Sequence, residues 1–367
     1  MKIKKRTDDV FNILNQEVGI LSGIEKEKLR QKIKRISLKY NSLIKLKKQK
    51  NSTPEIDPMF FSFEDLPPTG KEYWFMKFAS TKPKDKRQLL VMFGDGFGPM
   101  KINKKEIKRK KEEGKRNGYV TAWSYNKKKD LILDGESSIS IEANNISASD
   151  KQDKVNFSGN FPNYSLSLFK ENKKIIDLKI TKSENNSNSF EFGSHFKSFA
   201  GFALINLYFD FTGELNGEEF SGKCYVQKVI VIGPFVPWYW GRIVFSNGSI
   251  LTYYEPRIEI SKFNHKLHSS LRFYDNIKDK EYTFKDLTIN KFGKINPRWI
   301  ITANKGKIFV SLKSYSSYKF TFEKIGKLTY VEYLSEVTDI FMENCDVDTS
   351  KLDSGFGLVE DTNGYVL

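Results

Sequence analysis

The residues that could do chemistry concentrate in one stretch. From Gly233 to Tyr254 the chain reads GPFVPWYWGRIVFSNGSILTYY, with two tryptophans, three tyrosines and one arginine. Trp238, Trp240 and Arg242 alternate, so on a strand all three share a face. Flat π faces hold a polyene or a prenyl chain by area and can stabilise a developing carbocation; Tyr253, on the next run, is a candidate for the same wall. An arginine among aromatic rings is costly to bury alone, and it calls for a carboxylate partner or a polar head group. Asp210, in NLYFDFTG, alternates with Tyr208, which suits a carboxylate at a cavity mouth as well as one turned outward. His265 and His268 are three apart, but their region reads as strand and loop, where they would face opposite ways. No nucleophile elbow, phosphate-binding loop or dinucleotide fingerprint occurs. Neither a metal nor a cofactor is expected.

These residues need a scaffold, and the chain signals mostly β structure. From Lys71 onward, short alternating runs such as RQLLVMFGD, GYVTAWSYN, KVNFSGN, FALINLYFDFTGEL and TYVEYLSEV are separated by turn pairs such as DG, NG and SNGS. Strands at this spacing, with no helical pattern between them, read as antiparallel all-β, and they are too many for one small barrel. Residues 8–48 differ. Val10, Leu14, Val18 and Leu21 recur at helical spacing, and after GILSG the stripe continues through Leu29, Ile33, Ile36, Tyr40 and Leu43. This predicts helices, separable from the β body, whose stripe must be covered by the body, a partner or a membrane interface. The insert KINKKEIKRKKEEGKRNG is expected to be a charged, solvated loop or a short helix.

The net charge of +16 is unevenly placed. Residues 1–50 hold 15 Lys/Arg against 5 Asp/Glu, and residues 101–117 hold 9 against 3, which accounts for all of it. Basic appendages attract phosphates on lipid headgroups or nucleic acid. Nucleic-acid binding would want aromatics interleaved with these cations, and the basic segments have almost none. Two cysteines without C-x-x-C spacing point to a reducing compartment. No apolar run approaches the roughly 18 residues of a spanning helix, and no signal peptide is read at the N-terminus.

Three stretches resemble one family, the carotenoid 1,2-hydratase-like proteins related to hydroxyneurosporene synthase. EYWFMKF (Glu72 to Phe78) is similar to the family's opening E-W-W-Y-F. ELNGEEFSGKCYVQKV followed by PWYWGRIVFSNGSILTYY is similar to its Trp-rich centre, and GFGLVEDTNGY (Gly355 to Tyr365) to its closing G-x-G-Y-x-E-x-T-G-Y. The resemblance spans residues 66–367 and implies two lipocalin-like barrels in tandem, built to bind or modify a hydrophobic isoprenoid. It singles out Glu72 and Glu360 as acids and Trp74 as a further ligand contact. The central motif departs from the family where an acid or histidine commonly stands: PWYWGR has none, which argues against carotenoid hydration itself, because that reaction needs a general acid.

The expected architecture is a basic helical segment and linker (1–55), a first lipocalin-like barrel (56–235) and a second (236–367). The expected site combines Asp210, Glu72 and Glu360 as acids with Trp74, Tyr208, Trp238, Trp240, Arg242 and Tyr253 as ligand contacts. Arg242 is expected beside Glu72 or Glu360. The expected function is binding, with or without modification, of an isoprenoid or lipid by a cytoplasmic protein that touches anionic membranes peripherally. A carrier or scaffold without chemistry and a nucleic-acid-associated protein are the alternatives.

Overall fold

The computed structural model describes residues 23–48, 55–67, 69–95, 99–108, 111–150, 152–183, 189–197, 200–235, 237–257, 269–324, 326–343 and 345–366. Helix α1 (Gly23–Lys48) and the single turn α2 (Asp57–Phe60) precede the β body. The first half of the body holds β1 (Gly70–Ser80), β2 (Gln88–Asp95), β3 (Met100–Ile102), β4 (Lys105–Ile107), β5 (Lys111–Glu112), β6 (Lys115–Asn126), β7 (Lys128–Glu142), β8 (Asn145–Asp150), β9 (Asp153–Asn160), β10 (Asn163–Lys170), β11 (Lys173–Lys182), β12 (Phe190–Lys197), β13 (Ala200–Leu215) and β14 (Glu218–Ile232). The second holds β15 (Trp238–Phe245), β16 (Ile250–Pro256), β17 (Ser270–Asp275), β18 (Lys280–Phe284), β19 (Thr288–Phe292), β20 (Arg298–Ala303), β21 (Ile308–Lys324), β22 (Gly326–Met342) and β23 (Gly355–Val366).

Ten strands of the first half close into an antiparallel barrel. The order runs β11-β10-β9-β8-β7-β6-β2-β1-β14-β13, and β13 returns to β11 through pairs such as Ile180 with Phe211. Most neighbours are consecutive in the chain, the up-and-down arrangement to which lipocalins belong. Strand alternation sorts the side chains. Glu72, Trp74, Met76 and Phe78 of β1 point into the barrel, while Phe75 and the partly buried Tyr73 point out of it, into a second apolar cluster. This is why EYWFMKF reads as an unbroken apolar run: β1 is buried on both faces.

The second sheet runs β18-β17-β16-β15-β23-β22-β21-β20-β19, and its apolar face wraps one core that includes Leu271, Phe273, Trp299, Ile301 and Val359. Among the described residues its end strands, β18 and β19, are not paired with each other. A closed barrel is therefore present in the first half, with a rolled sheet in the second.

The lysine-rich insert differs from its expectation. Residues 100–107 form the hairpin β3–β4, and β3 joins the second sheet by pairing Ile102 with Phe322 of β21. Met100, Ile102 and Ile107 are buried, while Lys101 and Lys105 lie exposed. Alternation thus anchors the insert through three apolar residues and leaves its charge in water. The hairpin also crosses the division expected at residue 235.

Helix α1 confirms the stripe residue by residue: Leu29, Ile33, Ile36, Tyr40 and Leu43 are all buried. They belong to the barrel's own core and pack against β12 and β13. Lys32 pairs with Asp65 at 2.8 Å, and Lys39 pairs with Glu64. The expected separability of this helix is therefore corrected, because its removal would uncover barrel core. The part of the helical expectation before residue 23 lies outside the described residues. Ile36→Ala should cost about 2–4 kcal/mol in the chemical unfolding of the whole barrel, because the stripe and the barrel share one core. Loss confined to a separate helical transition would show that they do not.

Candidate functional site: an acid pair in the seam between the sheets

Where β1, β2, β6, β13 and β14 face β15 and β21–β23, a third apolar cluster fills the seam. The run PWYWGR enters it. Trp238 and Trp240 sit on the seam face of β15, while Gly241, Ile243 and Phe245 take the other side. Trp240 stacks on Tyr225 at 5.6 Å between ring centroids and meets Phe75 edge-on at 6.3 Å. Tyr225 in turn stacks on Tyr208 at 5.7 Å. The inward placement of both tryptophans near the junction follows the alternation read from sequence.

Two carboxyl groups lie in this apolar setting. Tyr330 Oη stands 2.8 Å from Glu332 Oε1 and 2.9 Å from Glu360 Oε1. Indole N–H groups hold the outer oxygens: Trp123 donates to Glu332 Oε2 at 2.5 Å and Trp238 donates to Glu360 Oε2 at 2.9 Å. A phenol has a single proton to donate. When Tyr330 gives it to one carboxylate, its contact with the other needs that carboxyl group to bring a proton of its own. The geometry therefore favours a pair that retains one proton between its two acids. Electrostatics agree. Burial pushes Glu332 up to about 8, with Glu360 adding to the rise and Trp123 opposing it. Burial also raises Glu360 to about 7, against the pull of Trp238, Tyr330 and Lys77. The Tyr330 hydroxyl is pushed far above its ordinary value by burial and by both acids, so it stays neutral.

A buried amine borders the seam. Lys77 is 1% exposed and donates to Arg242 O at 2.5 Å. Burial, with Arg242 beside it, holds its amine well below the usual lysine range. The Gly355–Gly357 repeat has a physical reason here. A Cβ on Gly357 would lie 2.1 Å from that same Arg242 carbonyl.

No protein-family model and no curated protein sequence matches the chain. Among solved structures it is similar to a protein provisionally assigned as AttH, from Nitrosomonas europaea: 10% identity over 85% of this chain and 98% of that one, TM-score 0.44. It is also similar to CghA solved with Sch210972: 10% identity over 83% and 89%, TM-score 0.38.

The structure separates several residues that the sequence grouped. Arg242 pairs with neither glutamate. Its Nη1 donates to Thr252 Oγ1 at 3.0 Å, and its guanidinium lies over the rings of Tyr208 and Tyr225 at 4.7 and 5.0 Å. Aromatic faces take the place of the expected carboxylate. Glu72 and Trp74 point into the barrel lumen instead, where Glu72 meets Lys228 at 2.9 Å and Trp74 donates to Phe60 O at 2.9 Å. Asp210 lies outside the barrel, ion-paired with Lys223 at 2.6 Å. Tyr253 belongs to the core of the second sheet, packed flat on Gly241, where an added Cβ would sit 2.2 Å from its ring. Of the expected acids, Glu360 alone joins the tryptophans; Tyr208 and Arg242 border them.

Glu332, Tyr330, Trp123 and Lys77 escaped the sequence reading. A signal existed: Tyr330 and Glu332 alternate in LTYVEYL, and Lys77 interrupts WFMKF. A charge inside a run buried on both faces marks a partnered or functional group. Among the described residues, no group of histidine, cysteine and acidic side chains has metal-binding geometry, and no helix is long and apolar enough to cross a membrane.

Proposed function

We propose that this protein binds a hydrophobic isoprenoid or lipid in the aromatic seam, with both halves acting as lipocalin-like barrels, and that the Glu332–Glu360 pair protonates it. The observation that carries this reading is the single hydroxyl of Tyr330 shared by two buried carboxyl groups. A retained proton in an apolar setting is what a general acid needs near neutral pH. Proton transfer from the pair to an alkene carbon would leave a carbocation facing Trp238 and Trp240, whose π faces stabilise positive charge. Water adding to that cation would return its proton to the carboxylate, so the pair ends as it began. This supplies the general acid that PWYWGR lacks.

A second reading is a carrier without chemistry. It draws on the enclosure of the pair, in which every carboxyl oxygen already has a protein partner. Mass spectrometry of organic extracts of the purified protein tests both. A polyprenyl or polyene species should co-purify with the wild type and be lost from Trp240→Leu. Extracts of Glu360→Gln, which keeps the shape, should contain the same skeleton lacking the elements of water. Identical extracts from wild type and Glu360→Gln would favour the carrier, and wild-type extracts with no such species would end both readings.

A further inference from the structure

The turn joining β19 to β20 presents apolar side chains to water with no internal reason to do so. Phe292 is 54% exposed and Ile295 is 88% exposed. The turn itself is well anchored. Ser314 N donates to Pro297 O at 3.0 Å, and Lys291, just before Phe292, turns inward to Asp361 Oδ2 at 2.7 Å and to Tyr333 Oη at 2.9 Å. The protein thus holds two bulky apolar groups outward on a fixed base.

The exposed charges on the turn and directly beside it, Lys294, Arg298 and Lys313, are basic. Lys294 lies on the turn. Arg298 and Lys313 are exposed and stand directly opposite each other on neighbouring strands. Like charges in that position repel and destabilise a sheet unless an anion lies between them. The acid nearest in register is Glu336, across the ladder from Lys313, and it is taken by Lys86 at 2.5 Å. Two other strongly exposed apolar residues, Ile277 and Phe341, lack this setting. Ile277 sits in a turn with Asp275, Asp279 and the Lys278–Asp346 pair, and Phe341 lies near Glu343, so both are surrounded by mixed charge.

We infer that the β19–β20 turn is a membrane-docking tip: Phe292 and Ile295 enter the acyl boundary of an anionic bilayer while Lys294, Arg298 and Lys313 meet lipid phosphates. Apolar insertion combined with basic residues at headgroup level is the usual composition of a peripheral anchor. This placement differs from one through the basic N-terminal segment, and it does not depend on the acid pair.

The test is flotation of the full-length protein with vesicles of phosphatidylcholine alone and of phosphatidylcholine mixed with one-third phosphatidylserine. Wild type should float with the mixed vesicles, and less so at high salt. F292S/I295S and R298Q/K313Q should each partition at least ~10-fold less, with the thermal midpoint of F292S/I295S unchanged, since both side chains are exposed, and that of R298Q/K313Q set by the loss of the repulsion between the two cations against the loss of the Arg298 Nε bond to Ser311 Oγ. Unchanged flotation of F292S/I295S would overturn the proposal and assign binding to the N-terminal segment. Absence of wild-type flotation would overturn it too. So would a wild-type dimer that F292S/I295S converts to monomer, or an affinity of the tip for RNA without one for vesicles.

Discussion

Lys228→Met should destabilise the barrel by about 3–5 kcal/mol, read from chemical unfolding at neutral pH. Lys228 and Glu72 are both fully buried inside the first barrel, with Nζ 2.9 Å from Glu72 Oε1. The ammonium also donates to Met59 O at 2.6 Å and to Ser62 O at 2.5 Å. Glu72 Oε2 accepts from Glu64 N at 3.0 Å. The ion pair therefore pins residues 59–64, a plug that carries Phe60 and Phe61 into the core against Phe157. Without Lys228 the Glu72 carboxyl group is left buried with the Glu64 N–H bond alone, and the plug loses its fastening at Met59 and Ser62. Burial already raises Glu72, with Lys228 pulling it back. Losing the lysine leaves burial opposed only by the Glu64 N–H bond, so the variant should weaken further as pH rises above the ordinary carboxylate range. The double variant E72Q/K228M should recover much of the loss, because a buried pair adds little net stability over neutral groups of similar volume. A loss under about 1 kcal/mol for Lys228→Met, far below that expected for breaking a buried pair, would show that water reaches the site.

Much of this architecture was legible in sequence because it follows from periodicity. The apolar stripe of α1 and the alternation of Trp238, Trp240 and Arg242 depend only on 3.6-residue and two-residue repeats. What sequence could not supply was which faces meet. Glu72 and Glu360 sit in similar aromatic motifs, yet β1 turns Glu72 into the lumen and β23 turns Glu360 to the seam, a choice set by the register of whole sheets. The carboxylate expected beside Arg242 rested on the cost of burying a lone cation. Tyr208 and Tyr225 meet that cost through ring faces, and no pattern in the sequence distinguishes a π partner from a carboxylate. The β3–β4 hairpin was hidden by its charge: three apolar side chains suffice to dock it where β21 supplies an edge.

Glu332→Gln should flatten a pH dependence that the wild type carries between about pH 5 and 8, leaving the part due to Glu360. Both acids of the pair are raised in the folded protein, Glu332 to about 8 and Glu360 to about 7, chiefly by burial. The folded state then binds protons more tightly than the unfolded chain. The stabilisation is complete below the ordinary carboxylate value and is lost as pH rises through the shifted values. One proton held in excess corresponds to about 1.4 kcal/mol per pH unit, so unfolding free energies at pH 5 and 8 should diverge by several times that amount. Lys71 acts in a different window. Burial lowers it to about 7, so its contribution makes the fold more stable as pH rises from about 7 toward the ordinary lysine value. The two effects overlap near pH 7–8, and for that reason the informative quantity is the difference between wild type and Glu332→Gln at each pH. Glutamine keeps an oxygen for Trp123 and a side chain of the same length, so packing should survive. Parallel pH profiles for the two proteins would mean that the pair ionises freely, and the retained proton on which the proposed chemistry depends would be absent. A steeper fall in the wild type, flattened in the variant, would instead give the seam an acid still protonated near neutral pH, within hydrogen-bonding reach of Trp238 and beside the aromatic surface that the ligand would occupy.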